Sequence, residues 1–114
     1  MILDEPMAGL DNAMREELLV VLDGLHARGM TLLLATHDID FAYRWADRIH
    51  LMAEGRCTAA FDTIELPAQG AAMSAARLPL PKVIELHRVL AQRGVLQETP
   101  CPRSQQELLA LLKP

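Results

Sequence analysis

Cysteine is scarce in this sequence: Cys57 and Cys101 are the only two, they stand far apart, and neither belongs to a Cys-x-x-Cys or Cys/His cluster. That excludes a disulfide framework and a cysteine-based metal site, and leaves two free thiols of the kind a reducing compartment keeps. Long apolar runs are missing too, none approaching the roughly 18 to 20 residues that a membrane helix needs, and no basic start precedes a hydrophobic leader. The chain is therefore expected to be soluble and cytoplasmic, with no direct insertion in a membrane. Positive charge is in short supply: 11 Lys and Arg stand against 15 Asp and Glu, a net charge of −4. Nucleic acid and anionic lipid both demand a basic face, so neither is an expected partner. Internal repeats and low-complexity tracts are absent as well.

What is present is a 114-residue chain, 51% hydrophobic and 23% charged, of a size that suits one domain with a modest core. Its first eleven residues, Met1-Ile2-Leu3-Asp4-Glu5-Pro6-Met7-Ala8-Gly9-Leu10-Asp11, read as a short apolar strand ending in two carboxylates and a tight turn. At the carboxyl end of a strand the backbone turns away, so Asp4 and Glu5 can both aim into the crevice where open α/β sheets bind ligands. An Asp there suits a Mg²⁺ ion on a nucleotide, and an adjacent Glu can orient or deprotonate a water. Taken alone, an Asp-Glu pair is more often two solvated carboxylates. The second apolar run, Met30 to Ala35, shifts that balance, because it ends in Thr36-His37-Asp38 and would deliver another ionisable group to the same sheet edge after a helical crossover.

In chain order, Asp11 is a good N-cap for an amphipathic helix from Asn12 to about Arg28, with Met14, Leu18, Val21, Leu22 and Leu25 as its apolar stripe and Gly29 at its end. The run from Met30 to Ala35 is apolar enough to be a central parallel strand covered on both faces. Asp38 caps a short helix through Trp45, with Phe41 and Trp45 as core neighbours. Ile49–Met52 and Cys57–Phe61 form a hairpin about a turn at 53–56, with His50 exposed, and Asp62 or Thr63 opens a helical turn. Residues 66–81 carry three prolines with small residues and no clear period, and read as a linker. A helix from Pro81 to Arg93, apolar at Val83, Leu86 and Leu90, is closed by Gly94, and Ser104-Gln105-Gln106-Glu107 is a capping box opening a last Leu-rich helix. Two such short helices cannot bury their apolar faces alone.

Leu3-Asp4-Glu5-Pro6 resembles the Walker B motif of ABC-type ATPases, Ala8-Gly9-Leu10-Asp11 their D-loop, and Thr36-His37-Asp38 their switch histidine. Order and spacing match, and Ala46-Asp47-Arg48-Ile49 followed by Glu54-Gly55-Arg56 continues the pattern. The tail, through Leu80-Pro81, Gly94 and Pro102-Arg103-Ser104-Gln105-Gln106-Glu107-Leu108, is similar to the C-terminal extension of the ATPase subunits of cobalt, nickel and energy-coupling-factor vitamin importers. The resemblance implies an α/β fold, a partial P-loop NTPase sheet with crossover helices, then a β-hairpin and a small helical extension. Residues 1–65 would be the C-terminal portion of the ATPase domain, 66–81 a linker and 82–114 the extension. It implies ATP and Mg²⁺ as cofactors, Asp4 holding the metal through water, Glu5 as the base that polarises the hydrolytic water, His37 as the γ-phosphate sensor, and Asp11 at the interface with a second ATPase subunit. A transmembrane importer subunit would be the other partner, placing the protein at the inner face of the cell membrane.

The pattern also has gaps. A Gly-x-x-x-x-Gly-Lys-Ser/Thr loop, whose N–H groups and lysine cradle phosphates, is not in the sequence, nor is a Leu-Ser-Gly-Gly-Gln signature. Two readings stay open: the C-terminal part of an importer ATPase, a fragment or mis-started frame that is inactive alone, and a catalytically dead module that pairs with an intact ATPase subunit. The transported substrate is not legible, because an ATPase subunit need not touch it.

Overall fold

A computed structural model describes residues 1–113 of the chain. It is a mixed α/β structure with two compact units, residues 1–37 and residues 38–114, and each is described separately.

In the first unit, β1 (Ile2–Asp4) pairs in parallel with β2 (Leu33–Ala35), Ile2 opposite Leu33, Leu3 opposite Leu34 and Asp4 opposite Ala35. The crossover is α1 (Asn12–Ala27). Asp11 caps it as expected, its Oδ1 accepting the Met14 N–H at 2.8 Å, and Gly29, at φ +90, closes it where a residue with a Cβ would be strained. The buried stripe matches the expected one only in part, at Leu22 and at the half-buried Leu18 and Leu25. Leu19 and Leu22 are the buried residues of α1, while Met14 and Val21 are exposed. Nor is β2 a central strand: among the described residues the sheet has two strands, and Ile2 and Leu33 are 78% and 56% exposed. Parallel strands are apolar throughout because both faces are ordinarily covered. Here Leu3 and Leu34 are half-buried, and the opposite face lies open.

The second unit opens with α2 (Ile39–Trp45), capped by Asp38, whose Oδ1 accepts the Phe41 N–H at 3.0 Å. Phe41 and Trp45 stack with ring centroids 5.8 Å apart. The expected hairpin forms from β3 (Arg48–Ala53) and β4 (Arg56–Asp62), antiparallel, with a register irregularity between Leu51 and Met52. Its turn residues, Glu54 and Gly55, both have positive φ, +52 and +76, the combination that matches a tight turn to the twist of its strands. His50 is exposed, as expected of its place in the alternation.

Residues 66–81 are not an irregular linker. A 3₁₀ helix (Thr63–Ala68) and α3 (Gly70–Ala75) fill most of the stretch, and Leu66 and Met73 are both 1% exposed. The prolines do not prevent this, because Pro67 sits in a 3₁₀ turn and Pro79 and Pro81 follow α3. In α4 (Lys82–Gln92) the buried residues are Val83, Ile84 and His87, whereas Leu86 is 53% exposed. The ring of His87 lies 2.9 Å from the Gln97 carbonyl oxygen, and that bond is what lets an imidazole occupy the apolar face. In α5 (Gln105–Leu112) Ser104 Oγ accepts the Glu107 N–H at 3.1 Å, while Glu107 reaches back to the N–H of Arg103, one residue before the cap. Tyr43, Leu51, Phe61, Leu66, Met73, Val83, Ile84 and Leu108 form one hydrophobic core, so the C-terminal helices bury their apolar faces with α2 and the hairpin.

Candidate functional site

The parallel pairing of β1 and β2 sets the site. Register places Asp4 beside Ala35, so the two chains leave the sheet at the same end, and the Glu5 N–H donates to the Ala35 carbonyl at 2.7 Å. Glu5 then turns away with φ +46, a left-handed conformation that is uncommon for a residue with a Cβ and costs of the order of 1 kcal/mol. The Ala8 N–H closes the following turn on the Glu5 carbonyl at 3.1 Å. In this turned position the Glu5 carboxylate meets the end of β2. Oε1 accepts the backbone N–H of His37 at 2.7 Å and Oε2 accepts the Thr36 hydroxyl at 3.1 Å.

Two sequence-singled residues, Glu5 and His37, are thus in direct contact, with the contact made through the His37 backbone. The imidazole is 96% exposed, its Nε2 3.9 Å from Glu5 Oε1, so the ring is open to a ligand while its own backbone holds the neighbouring carboxylate. Asp4 is exposed at the end of β1. Asp11 lies beyond the turn, engaged as the cap of α1, where Gly9 at φ +75 allows the tight reversal between Met7 and Leu10.

Thr36 is the residue that sequence reasoning passed over. It stood in the quoted Thr36-His37-Asp38 motif without a role, although a hydroxyl one residue before the histidine, on a strand paired next to Asp4-Glu5, was a readable signal. Among the described residues no group of three or more His, Cys, Asp or Glu is placed to hold a metal ion. The donor set nevertheless fits Mg²⁺, which keeps several waters and takes only one or two protein carboxylates beside substrate phosphates. Among the described residues, too, no helix is long and apolar enough to cross a membrane.

A crossover-linked parallel strand pair brings Asp4, Glu5 and His37 to the carboxyl ends of its strands, the end at which open α/β sheets bind ligands. No protein-family profile matches the chain. Individual relatives do. An energy-coupling factor transporter ATP-binding protein of Methanospirillum hungatei is 36% identical over 113 residues, 99% of this chain and 28% of the relative. A second, from Lacticaseibacillus paracasei, is 36% identical over 115 residues, 100% of this chain and 40% of the relative. A cobalt import ATP-binding protein of Rhodobacter capsulatus is 43% identical over 86 residues, 75% of this chain and 31% of the relative. The chain belongs to the ATP-binding proteins of ABC transporters, as a counterpart of their C-terminal portion. It spans 28 to 40% of the length of the three relatives.

Proposed function

We propose that this chain is the C-terminal part of an ATP-hydrolysing subunit of an ABC importer of the cobalt or energy-coupling-factor type, and that nucleotide is met at the carboxyl ends of β1 and β2 in a P-loop NTPase sheet. The observation that carries this reading is the contact between Glu5 and the His37 backbone at 2.7 Å, beside Asp4, in a chain homologous to such proteins along nearly all of its length. Residues 1–65 carry the ATPase motifs, 66–81 the connection, and 82–114 the C-terminal extension.

In this reading Glu5 is the base. A carboxylate offers about four lone-pair positions, and two of those on Glu5 are taken by Thr36 and His37. The remaining ones can accept from a water and orient its oxygen, with the side chain already immobilised against β2. Asp4 is the exposed hard-oxygen anchor for hydrated Mg²⁺, which when bound neutralises charge on the phosphates. The exposed His37 ring donates to the terminal phosphate from one nitrogen. Asp11 shapes the turn that faces a second ATPase subunit, and the transporter's membrane subunit holds the assembly at the inner face of the membrane.

The test uses a complete ATPase subunit that carries a phosphate-binding loop and has this chain as its C-terminal part. Glu5→Gln should retain Mg-ATP binding, slow hydrolysis by about 10²- to 10⁴-fold, and accumulate as an ATP-stabilised dimer on sizing. Asp4→Asn should weaken the Mg²⁺ dependence. Undiminished phosphate release by Glu5→Gln removes Glu5 from the role of base. A wild-type protein that pairs with an intact ATPase subunit without turning over ATP at its own site would support the silent pairing module instead.

A further inference from the structure

α2 has seven residues, too few to hold itself in water, since isolated helices below about 12 to 15 residues are marginal. Its partners are concentrated in the C-terminal extension. In its first turn Asp40 Oδ1 accepts the Lys82 backbone N–H at 2.8 Å. Lys82 opens α4, whose cap position is taken by Pro81, a residue with no side-chain acceptor. An N–H group at the start of α4 is therefore met from α2, and a carboxylate suits the positive end of that helix. In the last turn of α2 Arg103 donates from Nε to the Tyr43 carbonyl at 3.0 Å and from Nη2 to the Ala46 carbonyl at 2.7 Å. Between these two grips Tyr43 is 1% exposed and shares one core with Val83, Ile84 and Leu108. The extension thus holds α2 at both ends and in the middle, through bonds that span 42, 57 and 60 positions of sequence.

What α2 holds in turn follows from connectivity. Only Thr36 and His37 separate the end of β2 from Asp38, the cap of α2. So short a link has little slack. Fixing α2 fixes one of the two anchors from which His37 hangs, the other being the Glu5 carboxylate that accepts its N–H at 2.7 Å.

We propose that the C-terminal extension positions His37 by clamping α2, with Asp40 and Arg103 as the positioning residues, and that the extension thereby takes part in the response to nucleotide; the second half rests on the reading of His37 as the contact to the terminal phosphate. Because the two grips act on one two-turn helix, releasing either lets α2 pivot about the other. The coupling is reciprocal: a ligand that draws on the His37 ring loads the bonds at Lys82 and Arg103, and a partner that moves the extension changes how His37 meets its ligand.

Hydrogen exchange on the 114-residue protein reads the clamp without nucleotide. Asp40→Ala removes one grip, and Arg103→Lys keeps the charge of the other but loses its fork. At a temperature where both variants are folded, each should speed exchange at the amides of 41–46 and of His37 by about 3- to 30-fold, while the amides of α1 keep their wild-type rates. In a complete ATPase subunit that has this chain as its C-terminal part, Arg103→Lys should slow ATP turnover by a similar factor and should slow it no further in a His37→Ala background, whereas a merely structural role would cut turnover equally in both. Asp40→Ala carries the same cycle if Arg103→Lys misfolds. Unchanged exchange at His37 in both variants, or equal fold-losses of turnover with and without the His37 ring, overturns the proposal. A His37→Ala subunit with wild-type turnover defeats the reading of His37 as the phosphate contact, and the clamp is then upheld or overturned by the exchange rates.

Discussion

The backbone N–H of His37 donates to Glu5 Oε1 at 2.7 Å, and this one bond joins the two chain segments that carry the candidate chemistry. It fixes the carboxylate through a backbone group that no substitution at position 37 other than proline removes. The ring of His37 is free to serve a different purpose, being 96% exposed.

Thr36→Val should therefore loosen Glu5 without touching His37. Losing a hydroxyl donor to a charged acceptor costs about 1.5 to 3 kcal/mol when buried and less at a half-buried site such as this. Urea denaturation should show a loss of about 1 kcal/mol, and Thr36→Ser should recover most of it. A Val variant as stable as wild type would show that the hydroxyl does not hold Glu5 in solution.

Arg103 joins the start of α5 to the end of α2, its Nε donating to the Tyr43 carbonyl at 3.0 Å and its terminal nitrogen to the Ala46 carbonyl at 2.7 Å. Carbonyls at the end of a helix have no partners within it, and a cation there is doubly favourable. Arg103→Lys keeps the charge but loses the fork, and should destabilise by about 1 to 2 kcal/mol. Arg103→Ala should cost more, both read from chemical denaturation midpoints at constant slope.

Alkaline pH should weaken the second unit. Burial pushes the Tyr43 phenol above its ordinary value of 10.0, and a hydrogen bond to Cys101 adds to the shift. Burial raises the Cys101 thiol above 9.0 as well, partly opposed by that hydrogen bond from Tyr43. Both groups are neutral in the fold and ionise more readily when unfolded, so the stability they contribute is fully present below pH 9 and is lost as pH rises through and beyond these values. Unfolding free energy measured from pH 8 upward should fall, and Cys101→Ser with Tyr43→Phe should flatten the decline. A decline of equal steepness in the double variant would assign it to other groups.

Mg-ATP should bind this 114-residue protein only weakly. On the proposed reading Asp4, Glu5 and His37 meet only the metal and the terminal phosphate, and no glycine-rich loop with a lysine is in the sequence to hold the rest. Calorimetry should give no micromolar affinity. A micromolar dissociation constant would require a phosphate cradle built from other residues.

Local signals in the sequence determined a large part of this molecule. Asp11, Asp38 and Ser104 announce helix starts because their side chains accept from N–H groups two or three residues on, an interaction that needs no tertiary partner. Gly29 and Gly94 announce helix ends, both with positive φ, and Glu54-Gly55 announces the hairpin turn for the same steric reason. The order of Asp4-Glu5, Asp11 and His37 pointed to the family before any geometry was known. What the sequence left undecided depends on contacts between residues distant in the chain. Which face of α1 is buried, why His87 and not Leu86 lies inside, and why most of 66–75 is helical all follow from what each segment packs against. Thr36 belongs to the same class, because a hydroxyl acquires a carboxylate partner 31 positions away only when two strands pair in one register.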